Sequence, residues 1–139
     1  MRWHAHHQTG GTGHLYQGRF KAFPIQEDDH LLTVLRYVQR NPLRASLCRA
    51  AEEWKYGSAW RNVHGNADSR RMLAAWPIPR PRSWRTWVNA PQTESEVQAV
   101  RRSILRGTPF GADSWITQTA ARLQLKHTLR PRGRPKTQK

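Results

Sequence analysis

The chain has 139 residues, the length of one domain, and its 24 Lys and Arg against 9 Asp and Glu give a formal net charge of +15. An excess of this size predicts an anionic polymer or surface as partner. No stretch approaches the roughly 18 apolar residues that cross a bilayer, and no apolar segment at the start predicts a secretory signal. The single cysteine, Cys48, excludes an internal disulfide and a cysteine-based zinc site, which favours a cytoplasmic location.

The positive charge is concentrated near the end of the chain. Residues 1–100 hold 14 Lys and Arg and 8 Asp and Glu, a net of +6, whereas residues 101–139 hold 10 and 1, a net of +9. This distribution is typical of an arm for nucleic acid. Membrane-surface binding is the alternative, but a basic amphipathic helix with an aromatic apolar face is not apparent there.

The first predicted element after a polar, His- and Gly-rich start is a strand over His14–Ile25, which is aromatic-rich and bounded by Gly and Pro. Its alternation places Arg19 and Lys21 on one side. That pattern fits a strand that faces DNA. It fits an ordinary edge strand with solvated charges equally well.

A helix is predicted to follow, capped by Asp28 or Asp29 and running to about Arg40, where Asn41-Pro42 ends it. Helical spacing predicts a core face made of Leu31, Val34, Leu35 and Val38. A second, polar stripe lies beside it, consisting of His30, Thr33, Tyr37 and Asn41.

The remaining elements are predicted to be short helices and loops. Leu43–Trp54 continues as a short helical stretch with Leu47, Ala51 and Trp54 able to pack inward, and His64–Arg71 is a loop. Three prolines in Trp76–Arg82 indicate a boundary. The predicted regions are therefore residues 1–75, a helical extension over 76–127 and a basic disordered tail over 128–139.

Within the extension, Thr93 to Glu96 fits a capping box, Gly107 can close that helix, and Asp113 can cap the next one. A helix-turn-helix-like unit and a plain helical hairpin both fit this pair. In the tail, Arg132–Pro135 resembles an AT-hook, in which arginines lie along a narrow A·T-rich minor groove. A non-specific polycation is the alternative.

Tyr37 and Asn41 share a helix face because residues i and i+4 lie one above the other. A phenol is a poor nucleophile at neutral pH unless its electrophile is activated. An amide oxygen at Asn41 could help to hold a divalent ion against a phosphate under attack by Tyr37. The alternative is a structural tyrosine beside the core stripe of its helix.

Residues Gly13 to Leu47 resemble the REP-associated tyrosine transposases, relatives of insertion sequence 200-like transposases. The motifs that carry the resemblance are G-H-x-x-Q-G-R-F-K-x-F, an acidic cap and R-Y-V-x-R-N-P-L-R-A. Later stretches, W-P-I-P-R-P-x-x-W, R-G-x-P-F-G and R-P-R-G-R-P-K, are similar to the carboxy-terminal extension of the same proteins.

This resemblance implies an α/β (α+β) fold, the remnant of a ferredoxin-like domain with antiparallel strands and helices. It implies a DNA transposase that cleaves and rejoins single-stranded DNA at hairpin repeats with Mg²⁺ or Mn²⁺. Tyr37 takes the position of the nucleophile that forms the 5′-phosphotyrosine bond, and Asn41 that of a metal ligand. The expected DNA contacts are basic side chains of the strand, the helix and the tail, namely Arg19, Lys21, Arg36, Arg40, Arg132, Arg134 and Lys136.

The chain departs from the family at its metal site. The family places a histidine–hydrophobic–histidine pair on a strand well before the tyrosine, and the flanks of His4-Ala5-His6 do not resemble a buried strand. The chain is therefore expected to be an amino-terminally truncated transposase with weak or no metal binding. Two functions follow: a transposase associated with the bacterial nucleoid, or a catalytically dead DNA-binding remnant.

Overall fold

The computed structural model describes residues 21–130, and this part of the chain consists of short helices joined by turns. The helices are α1 (Asp29–Gln39), α2 (Asn41–Arg44), α3 (Ser58–His64), α4 (Ala67–Arg71), α5 (Trp84–Asn89), α6 (Glu94–Arg106), α7 (Asp113–Arg122) and α8 (Lys126–Leu129), with a 3₁₀ turn at Ala51–Glu53. No helix in residues 21–130 is long and apolar enough to cross a membrane.

The predicted α/β fold is wrong, because residues 21–130 contain no sheet. The predicted strand over His14–Ile25 is reduced in its described part to one isolated parallel bridge between Ile25 and Phe110. Two backbone hydrogen bonds hold this bridge, from Gln26 N to Phe110 O and from Phe110 N to Pro24 O, both 2.9 Å long. The partner is a loop that offers no further backbone groups in register, so a ladder does not extend from it.

Helix α1 forms where it is predicted, with Asp28 as its cap accepting a 2.8 Å hydrogen bond from the His30 backbone N–H. Its buried face matches the predicted one in part. Val34 is buried and Leu35 packs against the core as predicted, but Leu32 is buried as well and Val38 is 53% exposed. The helix is covered by α5 and α6, so its contact surface is shifted away from the stripe that periodicity predicts.

Trp84, which is 2% exposed, lies at the centre of a small core that also contains the buried Leu32, Ala51 and Val88. Trp76 and Trp87 meet its ring edge to face, with centroids 4.8 and 5.3 Å away. This core includes residues from both sides of the predicted boundary at Trp76–Arg82, and the division into regions stays a prediction.

Hydrogen bonds between side chains fix the helices around this core. The Gln39 amide accepts from Trp84 Nε1 (3.0 Å) and donates to Ser58 Oγ (2.9 Å), which connects α1, α5 and α3. The buried Glu52 carboxylate accepts from Arg85 Nε (2.5 Å) and Asn89 Nδ2 (2.9 Å), which ties the 3₁₀ turn to α5.

The second half forms its predicted helices with one change of cap. Thr93 and Glu96 form the capping box of α6, and Gly107 ends that helix at φ +70°. Asp113 is the first helical residue of α7, and Ala112 occupies the cap position. Two earlier predictions are wrong: His64–Arg71 is mostly helical, in α3 and α4, and Leu47 is 60% exposed.

Candidate nucleic-acid interface

Tyr37 lies on α1 with its side chain partly exposed, directly beneath an arginine. The Arg44 guanidinium carbon is 3.9 Å from the centroid of the Tyr37 ring, and Arg44 Nη2 donates to the Tyr37 backbone carbonyl at 2.9 Å. The α1 helix ends at Gln39, and Pro42 occupies the first turn of α2. This tight join turns α2 so that Arg44 points back over Tyr37.

Asn41, the predicted metal ligand, already has a cationic partner. Its Oδ1 accepts a short hydrogen bond from Arg44 Nη2, and Arg44 Nη1 donates to Gln92 Oε1 at 3.3 Å. A divalent ion at Asn41 Oδ1 would therefore stand next to a guanidinium. Like charges about 4 Å apart repel by roughly 4 kcal/mol per unit charge near a protein surface.

The residues around Tyr37 do not fit the Mg²⁺ or Mn²⁺ that the family resemblance implies. Such ions prefer carboxylates, and manganese also accepts imidazoles. Residues 21–130 contain no group of three or more His, Cys, Asp and Glu able to hold a metal. A neutral amide already bonded to Arg44 is a poor substitute, and His4 and His6 lie outside the described residues.

Arg36 and Arg40, two predicted DNA contacts, are buried and point into the protein. Arg36 Nη2 donates to the carbonyls of Ala90 (2.9 Å) and Pro91 (2.8 Å). Arg40 Nη1 donates to those of Val88 and Ala90, both at 2.6 Å. These carbonyls lie at and beyond the C-terminal end of α5, where helical partners are missing and cations are favoured.

Burial lowers the pKa of Arg36, although the neighbouring Glu96, at 3.7 Å, acts in the opposite direction. Burial also lowers the pKa of Arg40, and Arg36 and Arg44 add to this effect. We therefore assign both buried arginines a structural role as caps of α5, and they are not included in the surface described next.

Arg44, stacked on Tyr37, is close enough to Arg101 of α6 for their positive charges to interact. Burial lowers the pKa of Arg44; Tyr37 opposes this, while Arg101 of α6 lowers it further. All nine acidic residues belong to the described range 21–130, yet neither arginine has a carboxylate within 4.0 Å there. We call this group the Tyr37 surface and define it by Tyr37, Asn41, Arg44 and Arg101.

The other predicted DNA contacts lie apart from the Tyr37 surface or outside the described part. Lys21 is exposed and lies next to Ala22, whose carbonyl is near Gly107 at the end of α6. Arg106 of the same helix end donates to the Arg130 carbonyl. Arg19, Arg132, Arg134 and Lys136 lie outside residues 21–130, as does the AT-hook-like segment.

Sequence reasoning did not identify Arg44 and Arg101. Arg44 follows Arg36 and Arg40 at intervals of four, which could have indicated one arginine-lined face running through the α1–α2 join. Arg101 is distant in sequence, and only the packing of α6 on α1 brings it close. Comparison with protein-family models, curated proteins and solved structures finds no match for this chain.

Proposed function

We propose that this protein binds DNA and that the Tyr37 surface contacts the phosphate backbone of a single-stranded or hairpin segment. The observation that carries the proposal is Arg44, which lies 3.9 Å over the Tyr37 ring; neither it nor Arg101 of α6 has a carboxylate within 4.0 Å in residues 21–130. The charge of Arg101 also acts on Arg44, and a phosphate near both would relieve their repulsion. The net charge of +15 supports the same conclusion.

The aromatic ring favours a single strand over a duplex as the ligand. Unpaired bases stack on aromatic side chains, and arginines beside them follow the backbone. In this surface Arg44 covers one face of the Tyr37 ring, so the remaining ring surface and edge are available to a base. The choice of a hairpin repeat comes from the family resemblance. A role of this kind would place the protein at the nucleoid in the cytoplasm.

A salt titration of DNA binding tests the proposal. Each phosphate contact on a single strand contributes about −0.7 to the slope of log K against log salt. Arg44→Gln/Arg101→Gln should therefore make the slope shallower by about 1.4 and weaken binding. The matched control is Arg70→Gln/Arg80→Gln, which removes the same charge from other elements.

An equal change of slope in both double variants would contradict the proposal, since it would reduce the effect to net charge. Because Arg44 also supports the α1–α2 join, Arg101→Glu, at an exposed position of α6, provides a second test that does not disturb that join. It should weaken binding more than Arg101→Gln does.

Strand cleavage by Tyr37 is the second candidate, favoured by the position of a partly exposed tyrosine beside two cations. In such a step the phenol oxygen attacks phosphorus and loses its proton. The bond from phosphorus to the 3′ oxygen breaks, which leaves a 5′-phosphotyrosine and a 3′-hydroxyl. The donor set at Asn41 supports no step through a metal.

A labelled repeat hairpin incubated with the protein in Mn²⁺ or Mg²⁺ distinguishes the two candidates. Cleavage predicts a covalent adduct that Tyr37→Phe abolishes while hairpin affinity stays within about threefold. Tyr56→Phe is the matched control, since Tyr56 is 68% exposed on another segment. An adduct that survives in Tyr37→Phe would remove Tyr37 as the nucleophile. Hairpin binding with no adduct in any variant leaves DNA binding without cleavage.

A further inference from the structure

A cavity of about 600 Å³ lies on the side of α1 that faces away from Tyr37. Leu31, Leu35 and Gln39 line it from α1, spaced by four residues and thus on one face of the helix. Tyr37 is two positions from Leu35, about 200° around the helix, and it points the other way. The volume falls within the range of roughly 300–1,000 Å³ that small-molecule sites occupy.

Apolar side chains form just over half of the cavity wall, and several of its polar groups bond to one another or to the core. Leu73 and Trp76 complete the apolar lining contributed by α1. Both ends of the Gln39 amide are used by Trp84 and Ser58, and Asn62 Nδ2 donates to the Ser58 carbonyl at 2.9 Å. The part of a ligand that lies against Leu35, Leu73 and Trp76 must therefore be apolar.

Two arginines provide the charge at this cavity. Arg80 lies over the Trp76 ring, 5.4 Å from its centroid, and Arg70 makes only a long 3.4 Å hydrogen bond to the Val63 carbonyl. Neither has a carboxylate within 4.0 Å in residues 21–130, although Glu27 also lines the cavity. The cations outnumber the acid, so the mouth favours an anion.

We propose that this cavity binds a small amphiphilic organic anion, with a flat apolar body against Leu35, Leu73 and Trp76 and an acidic group between Arg70 and Arg80. Guanidinium groups bind carboxylates, sulfonates and phosphates by paired, charge-assisted hydrogen bonds. The site is separate from the Tyr37 surface and does not depend on DNA binding.

Two fluorescent probes that share one apolar body test the site on the full chain. Anilinonaphthalene sulfonate carries an anionic group, and N-phenylnaphthylamine lacks it. Both should bind the folded protein. Arg70→Gln/Arg80→Gln should weaken binding of the sulfonate about tenfold or more and leave the neutral probe within about twofold.

The matched control is Arg102→Gln/Arg122→Gln, which removes the same charge from exposed arginines of α6 and α7 and should bind both probes as the parent protein does. A second variant, Ala75→Trp, places a large side chain at an exposed alanine of the lining and should weaken both probes about tenfold or more. Thermal unfolding of each variant verifies that the probes report a folded protein, because the sulfonate also binds loosened apolar cores.

Three results would overturn the proposal. If neither probe binds the full chain, the cavity does not accept a ligand. If Ala75→Trp binds both probes with the affinity of the parent protein, the probes bind outside this cavity. If the two arginine double variants weaken the sulfonate equally, the effect is one of net charge and Arg70 and Arg80 do not select the anion.

Discussion

Arginines on the two sides of the α1–α2 segment have opposite surroundings. Arg36 and Arg40 are buried, and backbone carbonyls after α5 accept their hydrogen bonds. Arg44 also donates to protein oxygens, but it is only partly buried, and neither it nor the exposed Arg101 has a carboxylate within 4.0 Å in residues 21–130. The difference shows that positive charge alone does not indicate a binding role. Arginines that remain accessible and have no carboxylate partner are the candidates for binding an anion.

The largest expected change in the free energy of unfolding comes from replacing Arg40. Arg40→Met keeps much of the buried volume, leaves the Val88 carbonyl without this donor, and leaves the Ala90 carbonyl with its bond from Arg36 alone. A buried polar group left unpaired costs about 1–3 kcal/mol, so we expect a loss of about 2–3 kcal/mol in the free energy of unfolding. Urea denaturation measures it.

Arg102→Met serves as the control, because Arg102 is exposed on α6 and should change stability by less than about 0.5 kcal/mol. Equal stability of the two methionine variants would mean that Arg40 does not act as a cap of α5.

Glu52 should give an intermediate effect. It tests whether a buried carboxylate that accepts hydrogen bonds from the protein stabilises the fold. Burial by itself raises the pKa of Glu52, but hydrogen bonds from Asn89 and Arg85 outweigh it and lower the pKa below the ordinary value. The charged form therefore stabilises the fold above the ordinary glutamate pKa, about 4.3. That contribution is lost as pH falls through the lower folded value.

We expect Glu52→Gln to reduce the free energy of unfolding by about 1–2 kcal/mol at pH 7. The gap between variant and parent should begin to narrow as pH falls below about 4.3 and should close once Glu52 is also protonated in the folded protein. Urea denaturation across a pH series measures the gap. A gap that stays constant down to pH 3 would assign the loss to packing and not to the carboxylate.

The smallest effect is expected at the Tyr37 surface. Arg101→Gln removes one of two repelling charges, so stability should change by less than about 0.5 kcal/mol, towards a more stable protein. Sulfate, an anion that can bind between the two arginines, should raise the melting temperature of the parent more than that of Arg101→Gln. The comparison is made against chloride at equal ionic strength. An equal rise in both proteins would leave the surface without an anion site.

The parts of the fold that local chemistry determines were predictable. Asp28 begins α1, Thr93 and Glu96 begin α6 and Gly107 ends it, because caps and positive φ depend on neighbouring residues alone. Tertiary contacts were not predictable in the same way. Val38 belongs to the predicted apolar stripe but is exposed, since α5 and α6 cover other sides of α1.

The candidate site shows the same division. The placing of Tyr37 and Asn41 near each other follows from helical spacing. That Arg44 occupies the Asn41 oxygen depends on the turn between α1 and α2, and that Arg40 is buried depends on where α5 ends. The strand over His14–Ile25 was predicted from alternation, but alternation says nothing about a partner strand. Within residues 21–130, Ile25 pairs only with the loop at Phe110.

The side-chain amide of Gln39 fixes the rotation of α1 relative to α3 and α5. An amide has one accepting and one donating end, and here each end has its own partner, Trp84 and Ser58. Turning α1 by one residue, about 100°, would break both bonds and leave an indole N–H buried without an acceptor. The cavity and the Tyr37 surface lie on opposite faces of α1. Their mutual orientation is therefore set by a side chain that belongs to the wall of one and touches neither Tyr37 nor Arg44.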